Sequence, residues 1–335
     1  MLAMRFLATL LALSALALPA QEPVPWIVDT DGGTDDYLAI AYLLAKPNVR
    51  VEAIASVNGI SSAAGGAKIA ARILQLARRD GVPVFIGAGQ PLTGNAAFPL
   101  EWRKMGEELT GVDLPKLTRK IEAQSAESYY LTRLTKPARI LALGPLTNLA
   151  AVLRKNPALA RNVQELVIMG GAVSVPGNLK DGGFLKTSNT TAEWNIFIDP
   201  EAAGLVFRTV PTIKLVPLDA TNRVPILMRH LSDFERGALH AALGRLAYQI
   251  LKLDEPFIKD GYYYAWDPLA AMAAAMPRLF HFNPAAVTVS RKPGEEGRTK
   301  PMPGRRPNLT VLDPPRPADF HTEFYNAFAT LKKIR

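Results

Sequence analysis

Six short apolar runs, separated by stretches with helical patterning, constrain this chain more than any other feature. They fall at residues 26–28, 49–56, 82–86, 138–143, 164–169 and 212–216. After the first run, Leu38, Ala39, Tyr42 and Leu43 recur at helical spacing from a start near Asp35, and residues 68–79 read as a second helix. Strand–helix alternation of this kind predicts an α/β fold, an open and mostly parallel sheet with helices on both faces. No repeat or low-complexity linker interrupts it, so residues 21–335 read as one domain. From Asn283 onward the chain is Pro-rich, with β-like runs at 286–289 and 309–312 and a closing helix at 320–334. Ligands of such sheets sit beyond the carboxyl ends of the strands. That rule selects residues 29–36, 144–148 and the loop 170–195.

Composition removes several chemistries. The chain has no cysteine, which excludes thiol nucleophiles, Cys-ligated zinc, iron–sulfur clusters and disulfides. Its four histidines, at 230, 240, 281 and 321, show no metal-ligand spacing. The 39 Lys and Arg exceed the 30 Asp and Glu, but no basic block is long or interleaved with aromatics. The expectation is a basic, mixed surface and no nucleic-acid partner. Arg5, an apolar run through Ala17, Leu18-Pro19-Ala20 and a polar Gln21-Glu22 have the layout of a signal peptide over residues 1–20, cut after Ala20 or Ala17. The run is too short for a spanning helix. An exported protein, periplasmic or secreted, is expected.

The strongest local signal is Asp29-Thr30-Asp31-Gly32-Gly33-Thr34-Asp35-Asp36. Four carboxylates at a strand end and helix start exceed what capping by Asp35 would need. A hard cation held by oxygen ligands resolves their repulsion. Gly144-Pro145-Leu146-Thr147-Asn148 is a strand-to-helix turn, and Met169-Gly170-Gly171 ends another strand. Asn178 and Glu193-Trp194-Asn195 offer donors and acceptors suited to sugar hydroxyls. Asp267, behind Tyr262, Tyr263, Tyr264 and Trp266, reads either as the cap of a helix opening at Pro268 or as a remote metal ligand beside a wall for a flat ring.

In their order and spacing, from Trp26 to the C-terminal helix, these motifs resemble the calcium-dependent nucleoside hydrolases. The Trp266-Asp267 pair and the Phe98–Trp102 stretch resemble most the purine-preferring (inosine–adenosine–guanosine) branch. The resemblance implies Ca²⁺ on Asp31, Asp36, Asp267 and the Leu143 carbonyl, with Asp31 deprotonating the attacking water. It implies ribose contacts from Asp35, Met169, Asn178, Glu193 and Asn195, base contacts from Trp102 and Trp266, a nucleoside as the small-molecule partner, and a homo-oligomer. The family places Asn or Asp where this chain has Ile60. Either Asn58 substitutes through a shifted loop, or one sugar contact is lost. In the broader family a His before the last metal-binding Asp can protonate the departing base, and here Trp266 takes its place. The implied reaction is hydrolysis of purine ribonucleosides to ribose and base. The alternatives are hydrolysis of a related N-riboside such as nicotinamide riboside, and a non-catalytic nucleoside- or sugar-binding protein of the cell envelope.

Overall fold

The computed structural model describes residues 22–331. The run read as a signal, residues 1–20, lies outside the described residues. Ten strands form: β1 Val24–Thr30, β2 Val49–Ser56, β3 Val84–Ile86, β4 Ala138–Ala142, β5 Val163–Met169, β6 Ile213–Val216, β7 Phe282–Ala285, β8 Val287–Val289, β9 Thr299–Pro301 and β10 Leu309–Leu312. Eight make one sheet in the order β3-β2-β1-β4-β5-β6-β10-β7. Every pair is parallel except β10 with the edge strand β7. The expected sheet is therefore present, and β8 with β9 adds a separate antiparallel hairpin. All six apolar runs become strands of the sheet; the closing helix runs Pro317–Ala329.

Alternation along β1 divides the core in two. Trp26 and Val28 face one hydrophobic cluster, Ile27 the other. The first layer contains helix Thr34–Ala45 packed against helix Trp266–Ala275. Residues 267–275 of the second helix are all buried, and its Ala-rich sequence has little side-chain bulk to hold the two backbones apart. Both helices begin at the carboxyl ends of the strands. The chain runs outward from β1 through β2 to β3 and then crosses back to β4 on the other side of β1, so the switch point of the sheet lies at the ends of β1 and β4.

Asp29, the first carboxylate of the acidic motif, points to the opposite layer from helix Thr34–Ala45. It accepts from the Tyr130 hydroxyl at 2.9 Å and from Asn148 Nδ2 at 3.1 Å. Asn148 also donates to the Ser56 carbonyl at 2.9 Å and accepts from the Ala88 N–H at 2.8 Å. The Gly-Pro-Leu-Thr-Asn turn thus ties the ends of β1, β2 and the segment after β3 together. Its Thr147 hydroxyl donates to Asp199 at 2.8 Å, anchoring helix Pro200–Thr209. Replacing Asn148 by Ala takes a partner from the buried Asp29 carboxylate, the buried Ser56 carbonyl and the half-buried Ala88 N–H, and each buried group left unsatisfied costs about 1–3 kcal/mol. Urea unfolding of Asn148→Ala should therefore show a loss of about 3 kcal/mol or more. A loss within about 0.5 kcal/mol would mean that water replaces the amide at no cost.

Candidate active site

The turn after β1 is built around two carboxylates. Gly32 adopts φ +77°, and a Cβ there would lie 2.9 Å from both Ser61 Cβ and the Tyr37 hydroxyl. Asp31 is held between two other glycines: a Cβ on Gly59 would come within 2.0 Å of its carboxylate and one on Gly144 within 2.5 Å of its Cβ. The Ile60 N–H donates to Asp31 Oδ2 at 3.2 Å. Asp36 accepts from the Thr30 hydroxyl, from the Asp31 N–H at 3.1 Å and from the Gly33 N–H at 2.9 Å. Gly33 is the N-cap of helix Thr34–Ala45, so the reach-back from the third helical residue closes this helix end. Asp35 does not cap it and is left to line the cavity.

Asp267 also differs from the capping account. Its helix opens two residues earlier than Pro268, at Trp266, with Ala265 as N-cap, and the buried Asp267 Oδ1 has no hydrogen-bond partner. The packing of the two helices brings oxygens of Asp35, Asp36 and Asp267 within 4.8 Å of one another. Asp31 lies outside that triad but next to Asp36, close enough for their charges to interact.

The ends of β4 and β5 supply a polar ring. Glu193 accepts from the Asn195 N–H at 2.8 Å, the Gly171 N–H at 2.9 Å and the Ile196 N–H at 3.2 Å. Asn195 Nδ2 donates to the Leu143 carbonyl at 3.0 Å, leaving that oxygen a second lone pair. Asn178 Oδ1 accepts from the Trp194 N–H, and the Trp194 indole donates to the Asn178 carbonyl, both at 3.2 Å.

These groups share one cavity of about 390 Å³, a size suited to a small molecule. Asp31, Asp35, Asp36, Leu143, Met169, Asn178, Glu193, Asn195, Trp102, Trp266 and Asp267 all line it. Asn58 does not. Its carboxamide oxygen accepts from Arg103 at 3.2 Å, and the apolar side chain of Ile60 takes the place beside the cavity. The shifted-loop substitution is thus not formed, because Arg103 on helix Leu100–Glu108 already holds the amide. Trp102 packs edge-on against Trp194 and Phe184, and Trp266 against Tyr263. Asp254, Phe184 and Phe257 also line the cavity and were not singled out from the sequence. Asp254 lies in an ordinary Leu-Asp-Glu-Pro helix junction, and only tertiary packing takes it to the site.

Charge is the dominant physical fact of this floor. Burial holds the Asp31, Asp35 and Asp267 carboxyls well above the usual carboxylate range, and the neighbouring Asp charges add to the effect. Burial likewise pushes Asp254 up to about 7, against a smaller opposing pull from Tyr263 and Thr34. It pushes Asp29 up to about 7 against Asn148 and Tyr130. An all-oxygen donor set, crowded carboxylates and the unpaired Asp267 Oδ1 fit a hard divalent cation. The buried Asp cluster is thus a candidate metal centre.

Carboxylates and amides around a sugar-sized floor, with aromatic walls above it, suit cleavage of a bond between a sugar and a flat ring. That is the chemistry of the N-glycosyl hydrolases. The chain belongs to the inosine-uridine preferring nucleoside hydrolase family, whose model matches residues 26–322. It is 31% identical over 270 residues to uridine nucleosidase 1 of Arabidopsis thaliana, covering 78% of this chain and 77% of that protein. It is 31% identical over 310 residues to the pyrimidine-specific ribonucleoside hydrolase RihA of Escherichia coli, covering 86% and 93%. Among solved structures it is similar to a purine-preferring ribonucleoside hydrolase from Gardnerella vaginalis, with TM-score 0.80 and 27% identity, covering 93% of this chain and 100% of the other. The chain is an N-glycosyl hydrolase with ribonucleosides as its substrate class.

The raised carboxyls set a pH dependence. Asp29 and Asp254 bind their protons more tightly folded than unfolded, so the folded state carries more protons between about 4 and about 7. Stability of the metal-free protein therefore falls as pH rises through that window. Thermal unfolding with a chelator should give a lower Tm at about pH 7.5 than at about pH 5. A divalent cation at about 100 times its Kd should restore about 2.7 kcal/mol. Tm values unmoved by any divalent cation would remove the metal centre.

Proposed function

We propose that the protein hydrolyses purine ribonucleosides to ribose and free base with Ca²⁺ as its metal. The observation that carries this reading is the buried Asp267 carboxylate, its Oδ1 without a hydrogen-bond partner, beside Asp35 and Asp36 at a cavity that Trp102 and Trp266 also line. Asp31, Asp36, Asp267 and the Leu143 carbonyl would hold the ion. When bound, it supplies positive charge that makes a water acidic enough to lose its proton near neutrality.

The remaining chemistry belongs to the chain. Asp31, fixed between Gly59 and Gly144, takes the proton of the water that attacks the anomeric carbon. Asp35, Asn178, Glu193, Asn195 and Met169 orient the ribose, and their negative and dipolar groups favour the oxocarbenium-like charge of the transition state. No histidine lines the cavity: His230 and His321 stack on each other at 3.5 Å, away from it. A departing purine can instead take a proton at N7 from water, with the indole faces favouring the protonated ring by about 0.5–2 kcal/mol. A pyrimidine has no N7, so purines gain more. The signal-like N-terminus supports an exported enzyme, whose mature chain should begin near Gln21 by N-terminal sequencing. No described helix is long and apolar enough to cross a membrane.

Asp31→Asn preserves shape but removes the proton acceptor, and its turnover of inosine should fall below a few per cent. A calcium chelator should abolish the wild-type reducing-sugar signal from inosine. Retained turnover in either case removes Asp31 as the base or Ca²⁺ as the metal. For base preference, kcat/KM on inosine, guanosine or adenosine should exceed that on uridine and cytidine by about tenfold, equivalent to about 1.4 kcal/mol. Trp266→Ala should lose mainly purine turnover. Equal rates on uridine and inosine would sink the aromatic preference and leave hydrolysis of ribonucleosides standing.

A further inference from the structure

The cavity and the whole chain have opposite charge. Basic residues outnumber acidic ones by nine over the sequence, yet eight Asp or Glu residues line the cavity and no Lys, Arg or His does. Five of the eight belong to the metal cluster or to the Glu193 turn. Asp181, Asp254 and Asp260 remain. Asp254 is fully buried, and neither of its oxygens makes a hydrogen bond of good geometry, Tyr263 and Thr34 being its polar neighbours. Asp181 and Asp260 are exposed where they line the cavity, which places them at its rim. A divalent cation offsets only two charges. The aromatic faces of the wall attract positive charge as well, and a cleft lined by one sign of charge concentrates ligands of the other.

The chemistry of departure agrees with this field. A neutral purine must be protonated to leave, and the cavity offers no histidine to do it. A base that already carries a positive charge needs no proton. As the C1′–N bond breaks, its electron pair moves onto the ring nitrogen and cancels the charge. The water oxygen bonds to C1′, its proton goes to Asp31, and ribose and a neutral base depart. We infer that the cavity selects N-ribosides with a cationic base, such as N7-alkylated purines and N-ribosyl pyridiniums, over their neutral counterparts. This rests on the N-riboside hydrolysis proposed above and adds to it a substrate class set by charge.

The test uses the calcium-loaded full-length enzyme on two pairs of substrates. One is 7-methylguanosine against guanosine in mildly acidic buffer, where the methylated ring keeps its charge. The other is nicotinamide riboside against its neutral dihydro form. Cationic ribosides are intrinsically more labile, so each kcat/KM is divided by the spontaneous rate of the same substrate. The cationic member of each pair should then lead by at least about threefold, with a lower KM. Its kcat/KM should fall about threefold between about 20 and about 300 mM salt, while the neutral member changes little, because exposed rim charges are screened over that range. The Asp181→Asn/Asp260→Asn double variant should lower the cationic-to-neutral ratio by about threefold, by removing two rim charges. Equal salt responses, or an unchanged ratio in the double variant, overturn the inference while guanosine turnover keeps the hydrolase reading intact. No turnover of any of the four substrates overturns both.

Discussion

Packing like charges out of water is the constraint on which this structure turns. Asp31, Asp35, Asp36 and Asp267 converge where burial and mutual repulsion both oppose ionisation. Two unit charges at 4 Å repel by about 4 kcal/mol even at an effective dielectric of 20. The fold holds them together through rigid supports. Glycines crowd Asp31 from two sides, backbone N–H groups and the Thr30 hydroxyl clamp Asp36, and a fully buried Ala-rich helix presses Asp267 against its neighbours. Protonation relieves that repulsion in acid, and a cation at the centre would relieve it near neutrality.

The acidic motif divides its labour because the strand ends inside it: Asp29 lies on β1 and shares the face of Ile27, whereas Asp31 lies past Thr30 in the turn. Asp29 and Asp31 both follow the same apolar run, yet Asp29 serves the opposite layer as the anchor for Tyr130 and Asn148. That anchor aligns the carboxyl ends of neighbouring strands, and the ring of Glu193, Asn195 and Leu143 is assembled on the same ends. A carboxylate that anchors the opposite layer and one that lines the cavity are thus separated by a single residue.

The strands and the ring of polar residues were legible because their signals are local. Apolar runs, Gly-rich turns and clustered carboxylates each report their own backbone. What stayed hidden depends on distant packing. Asp254 looks like any helix-junction Asp until the helix bearing it docks beside Thr34 and Tyr263. Asn58 offered the right chemistry near the right place, but Arg103, from a helix more than forty residues later in the chain, holds its amide. Asp267 followed by Pro reads as a cap, whereas the helix starts two residues earlier, where the segment before it is pinned by the Ala265 N–H to the Val224 carbonyl.

The contact between helices Thr34–Ala45 and Trp266–Ala275 also governs the order in which the molecule can be completed. The two helices lie far apart in the sequence, the first contributing Asp35 and Asp36 and the second Asp267 to one cluster. A chain still emerging, or one cut before the second helix, lacks both the final ligand and the wall that buries the first helix. A cation held by both helices would therefore bind only the finished fold, and would act as a late seal on molecules in which the second helix has docked.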